Sequence, residues 1–205
     1  MSTSASSILI FAGSSRVNSF NRKLAKEATR LVREADGQPT YIELSDLNLP
    51  LYNADLEARG TPGNVIRLKE MMHSCAGWII ASPEYNGSYT ALLKNTIDWA
   101  SSPAIAGAEC SEDEAAHWKS GTKPFTGKVV GLLSASPGSL GGMRSLDHLA
   151  PLLRNLQCWL APQQFALGKA ADAFDAQGHL KDEAALAKVK AVVDQVIFGA
   201  QRLAG

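Results

Sequence analysis

Residues 8–25 read Ile-Leu-Ile-Phe-Ala-Gly-Ser-Ser-Arg-Val-Asn-Ser-Phe-Asn-Arg-Lys-Leu-Ala. The stretch opens as an apolar strand, breaks at Gly13 and turns helical near Asn21. Between strand and helix lie Ser14, Ser15, Arg16, Asn18, Ser19 and Asn21, a loop of hydroxyls, amides and one guanidinium. A helix N-terminus presents unpaired N–H groups and positive partial charge, so a strand feeding a helix through such a loop reads as a phosphate site. The guanidinium of Arg16 suits a bidentate contact with phosphate oxygens. Ser19 and Asn21 suit two roles that are compatible, capping the helix and binding the anion.

Outward from this stretch, runs and periodicity alternate. Residues 8–12, 40–44, 77–82, 128–134 and the run from Cys158 read as strands. Residues 21–34, 63–75, 90–101, 143–156 and 181–203 carry apolar residues at helical spacing. Pro151 predicts a kink in the fourth of these helices. Trp78 and Trp159 fall in strand-like runs and are expected in the core. The order strand, helix, repeated five times, argues for one α/β domain over 1–205, a three-layer sandwich with a parallel sheet between helices. Residues 46–62 read as a long surface loop, and 102–126 as an irregular insertion. A loop that long is commonly a lid or a contact, so 102–126 is expected over the binding cleft or on another subunit.

In open parallel sheets, ligands bind outside the carboxyl ends of strands where the order reverses. With the flavodoxin-like order 2-1-3-4-5, three polar loops converge there: 13–20, 83–89 and 134–142. The first lacks both the G-x-G-x-x-G and the G-x-x-x-x-G-K-[ST] patterns, which excludes the dinucleotide and NTPase fingerprints. For the same reason Glu43, near the end of the second strand, is not read as a ribose ligand. In the second loop Pro83 stiffens the strand exit, and Pro83–Ser88, with Asn86 and Gly87 inside it, presents backbone groups to a planar heterocycle. Tyr85 is placed to stack on or flank that ring. Gly138, Gly141 and Gly142 let backbone approach its other edge.

Bulk properties narrow the class. The chain has 205 residues, 45% of them apolar and 20% charged, an ordinary globular composition. Lys+Arg and Asp+Glu are 20 each, so nothing points to nucleic acid or an anionic membrane surface. No run is long enough to span a bilayer, and no secretory signal is read at the N-terminus. Cys75, Cys110 and Cys158 form no C-x-x-C pair, and the four histidines show no ligand spacing, so no metal site is expected. These features predict a cytoplasmic protein.

Three motifs together resemble the NADPH-dependent FMN reductase family, whose members include quinone, chromate and azo reductases. They are Gly-Ser-Ser-Arg-Val-Asn-Ser-Phe-Asn at 13–21, Pro-Glu-Tyr-Asn-Gly-Ser at 83–88 with Leu-Lys-Asn-Thr-Ile-Asp-Trp at 93–99, and Ser-Pro-Gly-Ser-Leu-Gly-Gly-Met-Arg at 136–144. The resemblance implies a flavodoxin-like fold that binds FMN. It places Ser14, Arg16, Ser19 and Asn21 at the FMN phosphate, Pro83, Glu84, Tyr85 and Asn86 along ribityl and isoalloxazine, and Ser136 near the ring. It also implies a homodimer or homotetramer, and hydride transfer from NADPH or NADH to the flavin, then electrons to a small-molecule acceptor such as a quinone, free flavin, azo compound or chromate. The flavin carries the redox chemistry, so no side chain is assigned as catalytic acid, base or nucleophile. The alternative of a different class is a flavodoxin-type electron carrier without substrate turnover; an acidic docking face would favour it, and the balanced charge does not. Glu84 is read either as solvent-facing with only its backbone in use or as a ligand; Asn95 and Asp98 are read as fixing their helix against a loop or a partner subunit.

Overall fold

The structure, a computed structural model, describes residues 6–203. Its elements in chain order are β1 (Ser7–Ala12), α1 (Phe20–Glu34), β2 (Gln38–Glu43), a 3-10 turn (Leu44–Leu47), α2 (Ala54–Glu57), α3 (Gly63–Ser74), β3 (Gly77–Ala81), α4 (Ala91–Ser101), α5 (Glu112–His117), β4 (Val129–Ala135), α6 (Met143–Asn155), β5 (Trp159–Leu167) and α7 (Glu183–Leu203). The five strands form a parallel sheet in the order β2-β1-β3-β4-β5. Order and layering match the flavodoxin-like expectation.

Strand periodicity explains the two cores. Side chains alternate faces along a strand, so Ile8, Ile10 and Ala12 pack with Leu24 and Ala28 of α1 and with Val189, Val192 and Val196 of α7. Leu9 and Phe11 face the other way, toward Leu68 and Met72 of α3, Leu93 and Ile97 of α4, and Leu146 and Leu149 of α6. Central strands are covered on both sides, which is why every residue of β3 and β4 is buried and why both read as continuous apolar runs. Pro151 does lie inside α6.

Three expectations need correction. Trp159 is 58% exposed, whereas Trp78 is 0% exposed. Trp159 opens an edge strand, where one flank has no neighbouring strand, and an apolar run does not show whether its strand is central or an edge. Residues 46–62 are more than a surface loop. They contain α2, and Leu47 and Thr61 are buried. Asn95 holds the segment to α4, accepting from the Tyr52 N–H at 2.7 Å and donating to the Pro50 carbonyl at 2.9 Å. Trp99 Nε1 donates to the same carbonyl at 2.8 Å.

The third correction concerns one of the two places expected for 102–126, the cleft. The segment does not cover the cleft at the carboxyl ends of the strands: none of its residues lines that cleft. It lies along α3 instead. Ile105 and Thr61 exchange hydrogen bonds at 2.9 Å, and Glu109 accepts from the Gly63 N–H at 2.8 Å. Its one helix, α5, starts at a capping box in which the side chains of Ser111 and Glu114 each accept from the other residue's N–H. Trp118 is 2% exposed and packs with Ile66, Ala104 and Cys110.

Candidate active site

The first loop begins where β1 and β3 end together: the Gly13 N–H donates to the Ala81 carbonyl at 2.9 Å, and Thr90 Oγ1 donates to the Gly13 carbonyl at 2.6 Å. The loop folds on itself, with Ser14 Oγ accepting from the Arg16 N–H at 3.3 Å and the Arg16 carbonyl accepting from the Ser19 N–H at 3.1 Å. Ser19 caps α1, its Oγ accepting from the Arg22 N–H. The N–H groups of Phe20 and Asn21 sit in the first turn, where a helix has no internal acceptor for them. The Arg16 side chain is exposed, lies 5.1 Å over the Phe20 ring and donates to the Asn18 carbonyl at 3.0 Å.

Asn21 is 3% exposed and has a different job. Its Nδ2 donates to the Ala135 carbonyl at 2.8 Å and its Oδ1 accepts from the Ala135 N–H at 2.9 Å. The amide thereby clamps α1 to the carboxyl end of β4. Of the two roles open to this residue, its side chain takes neither the cap, which belongs to Ser19, nor a free aim at an anion.

The second loop is a tight hairpin. Tyr85 and Ser88 exchange backbone hydrogen bonds at 2.8 and 3.1 Å, and Asn86 and Gly87 have positive φ of 50° and 78°. Asn-Gly is the pair this connection favours, since both central residues must enter the left-handed region. Asn86 and Gly87 thus shape the turn and are not among the residues lining the cleft. Glu84 is not solvent-facing. Its side chain is 10% exposed and accepts from Arg144 Nε at 2.8 Å and from the Arg144 N–H at 3.1 Å, at the start of α6.

The third loop is fastened by the Ser136 N–H donating to the Leu167 carbonyl at 3.0 Å, and Ser136 Oγ accepts from the Gly138 N–H at 3.3 Å. Gly141 and Gly142 do not border the cleft. A Cβ at Gly141 would lie 2.6 Å from the Ala166 carbonyl carbon, and one at Gly142 2.1 Å from Ser134 Oγ. What demands glycine at both is the closeness of the loop to β5 and β4. Gly138 also lies outside the lining.

The three loops enclose a cleft of about 230 Å³. It is lined by Ser14, Arg16, Ser19, Phe20 and Asn21 from the first loop and α1, Pro83, Glu84 and Tyr85 from the second, and Ala135, Ser136 and Pro137 from the third. Eight of the twelve residues singled out in the sequence line it, and Asn86, Gly87, Gly138 and Gly141 do not. The donor set at one end, hydroxyls of Ser14 and Ser19, the Arg16 guanidinium and the first-turn N–H groups, fits the phosphate of FMN. The one carboxylate in the lining, Glu84, is neutralised by Arg144. Pro83, Tyr85 and Pro137 add ring-bearing side chains to the lining, surfaces suited to contact with a planar ring; Tyr85 is 58% exposed. Sequence reasoning missed the Arg144 pairing, because only folding brings 84 and 144 together.

Beside the phosphate end, Arg22 Nη2 lies 2.6 Å from Glu43 Oε1, and the Tyr41 hydroxyl donates to the same oxygen at 2.7 Å. Hydrogen bonding to Glu43 raises the Arg22 guanidinium further above its ordinary range, against a smaller opposing effect of burial. Burial, then the Glu43 carboxylate, pushes the Tyr41 phenol well up.

Comparison with known proteins gives one family. The family model described as NADPH-dependent FMN reductase matches residues 6–172. The chain is 34% identical over 200 residues to an NAD(P)H-dependent FMN reductase of Pseudomonas aeruginosa, covering 97% of each chain. It is 32% identical over 192 residues to an NADPH:quinone oxidoreductase of Arabidopsis thaliana, covering 91% of this chain and 87% of the relative. Among solved structures it superposes on FerB, a flavoenzyme NAD(P)H:(acceptor) oxidoreductase of Paracoccus denitrificans, with a TM-score of 0.78 at 26% identity, covering 97% of this chain and 99% of that one.

Proposed function

The chain belongs to the NADPH-dependent FMN reductase family, and on that premise we propose that its cleft binds FMN and uses NAD(P)H to reduce a quinone or flavin acceptor. The observation that carries this reading is the joining, in one cleft at the carboxyl edge of the sheet, of the donor-rich first loop with Pro83, Tyr85 and Pro137 from the other two loops. FMN held there by Ser14, Arg16, Ser19 and the loops at 83–85 and 135–137 would supply the redox chemistry, hydride acceptance and electron donation.

The chain's own residues bind and orient. Ser14, Arg16 and Ser19 hold the phosphate, with the N–H groups at the start of α1. Pro83, Glu84 and Tyr85 border ribityl and ring. Ser136 accepts from Gly138, which leaves its own O–H to donate into the cleft. Asn21, Asn86, Gly87, Gly138 and Gly141 act one step back, fixing the loops that carry these groups. Azo compounds and chromate belong to the same acceptor class, since an open cleft selects weakly among molecules that reach a flavin.

Mixing the FMN-loaded protein anaerobically with NADPH or NADH tests the reading. Loss of the yellow flavin absorbance is expected, with return of colour on adding quinone. A colourless protein that ignores FMN would sink it. The assembly we expect is a homodimer or homotetramer, supported by the exposed apolar side chains Trp159, Phe198 and Leu203; sedimentation as a monomer would overturn that. We assign the protein to the cytoplasm on its three free, buried cysteines, which recovery from a secreted fraction would contradict.

A further inference from the structure

Thr90 stands just before α4 and is 3% exposed. It caps that helix, its Oγ1 accepting from the Leu93 N–H at 3.2 Å. The same hydroxyl makes a bond that a cap does not need: it donates to the Gly13 carbonyl, 77 residues away in the chain, at 2.6 Å. A hydroxyl has one hydrogen and an N–H cannot accept, so the direction of both bonds is fixed. Gly13 is held closely from the same side. A Cβ there would lie 3.2 Å from Leu93 Cβ, 3.2 Å from Thr90 Oγ1 and 3.3 Å from Pro83 Cδ. The first residue of the anion loop is thus bracketed by the second loop and the start of α4.

The consequence passes through one peptide bond. In a planar trans peptide, the carbonyl of one residue and the N–H of the next point in opposite directions. With the Gly13 carbonyl held toward α4, the Ser14 N–H points away from it. α4 packs on the Leu9 and Phe11 face of β1, and α1 on the Ile8, Ile10 and Ala12 face, so this N–H is turned toward the α1 side of the sheet. Ser14 is 6% exposed and lines the cleft, and its N–H has no acceptor among the described residues. Buried backbone donors are nearly always paired, so an unpaired one beside the hydroxyl of Ser19 and the first turn of α1 is a place for an anion. We propose that Thr90 is a positioning residue for the phosphate: it orients the Gly13–Ser14 peptide so that the Ser14 N–H joins the side chains of Ser14, Arg16 and Ser19 as a donor. Thr90 itself is not in the cleft lining. The proposal rests on the cleft being the FMN site.

The test compares FMN with riboflavin, which has the same ring and ribityl chain and no phosphate. Thr90→Val removes the hydroxyl and keeps the side-chain shape; Thr90→Ser keeps the hydroxyl. Affinities are read from flavin fluorescence on the folded proteins. Thr90→Val is expected to weaken FMN binding about tenfold and to leave riboflavin binding unchanged, and Thr90→Ser to bind FMN as the wild type does. Loss of the α4 cap alone would lower the urea midpoint of Thr90→Val without changing the ratio of FMN to riboflavin affinity. That unchanged ratio overturns the inference, as does a Thr90→Ser variant as weak as Thr90→Val. A second measurement needs no variant: in the wild type, the Ser14 amide proton resonance should move strongly on adding FMN and far less on adding riboflavin, and an equal response to both flavins overturns the inference. A wild type that binds neither flavin overturns the reading of the cleft itself, and the role of Thr90 falls with it.

Discussion

Arg16 and Asn21 look alike in the sequence, two polar residues in one loop, and the structure separates them. Arg16 is exposed beside the cleft and donates only to a neighbouring backbone carbonyl. Asn21 spends both ends of its amide on Ala135. Their substitutions should therefore act on different quantities. Arg16→Ala is expected to weaken FMN binding by tenfold or more, since charge-assisted hydrogen bonds contribute about 1.5–3 kcal/mol, and to leave the FMN-free protein as stable as before. Asn21→Ala removes two buried hydrogen bonds and should lower the stability of the FMN-free protein by roughly 2 kcal/mol or more in urea unfolding. Unchanged flavin affinity in the first variant, or an unchanged urea midpoint in the second, would remove that residue's assignment. The residue types at 14–21 were enough to read an anion loop. They were not enough to divide labour within it, because Ala135 lies 114 residues away in the chain.

At the scale of elements, Lys69 joins α3 to the end of α4. It is 0% exposed, and its ammonium donates to the carbonyls of Ala100 at 2.8 Å and Ser102 at 2.6 Å. Those carbonyls belong to the last turn of α4 and the residue after it, where a cation complements the helix dipole. Burial nonetheless lowers the Lys69 pKa to about 8, against smaller opposing contributions from Glu57 and Cys110. The unfolded chain keeps an ordinary lysine near 10.5, so between about pH 8 and 10.5 it binds more protons than the folded chain. Stability from this group then rises with pH across that window and is lowest below pH 8, where the buried amine must be charged. Subtracting the stability of Lys69→Met from that of the wild type isolates the group. The difference should grow in favour of the wild type from pH 8 to pH 10, and a flat difference would show that Lys69 titrates normally. In the sequence Lys69 reads as one more charged position on an amphipathic helix. Its burial follows from the insertion at 102–126, which covers that side of α3 with Trp118 and Ala104 around Ile66.

At the scale of the whole molecule, the cleft draws its walls from loops that follow β1, β3 and β4, so one ligand bridges the middle of the sheet. A ligand that binds only the folded chain stabilises it by about 2.7 kcal/mol at a hundredfold excess over its Kd. For a chain of 205 residues that corresponds to a rise in Tm of roughly 5–10 °C on adding FMN, measured by scanning calorimetry. No rise at saturating FMN would mean that the loops do not bind it. The sequence by itself determined the strand and helix order, the parallel sheet and the three polar loops, because apolar runs, helical spacing and turn residues are local signals. Eight of the twelve singled-out residues do line the cleft, since ligand-facing groups on such loops follow directly from strand ends. Tertiary structure alone decided that Glu84 pairs with Arg144, that Asn21 serves β4, that Trp159 lies on an edge, and that 102–126 braces α3 instead of covering the cleft. Each of these depends on a neighbour distant in the chain, and the free energy of burial or pairing there is set by which elements the fold brings side by side.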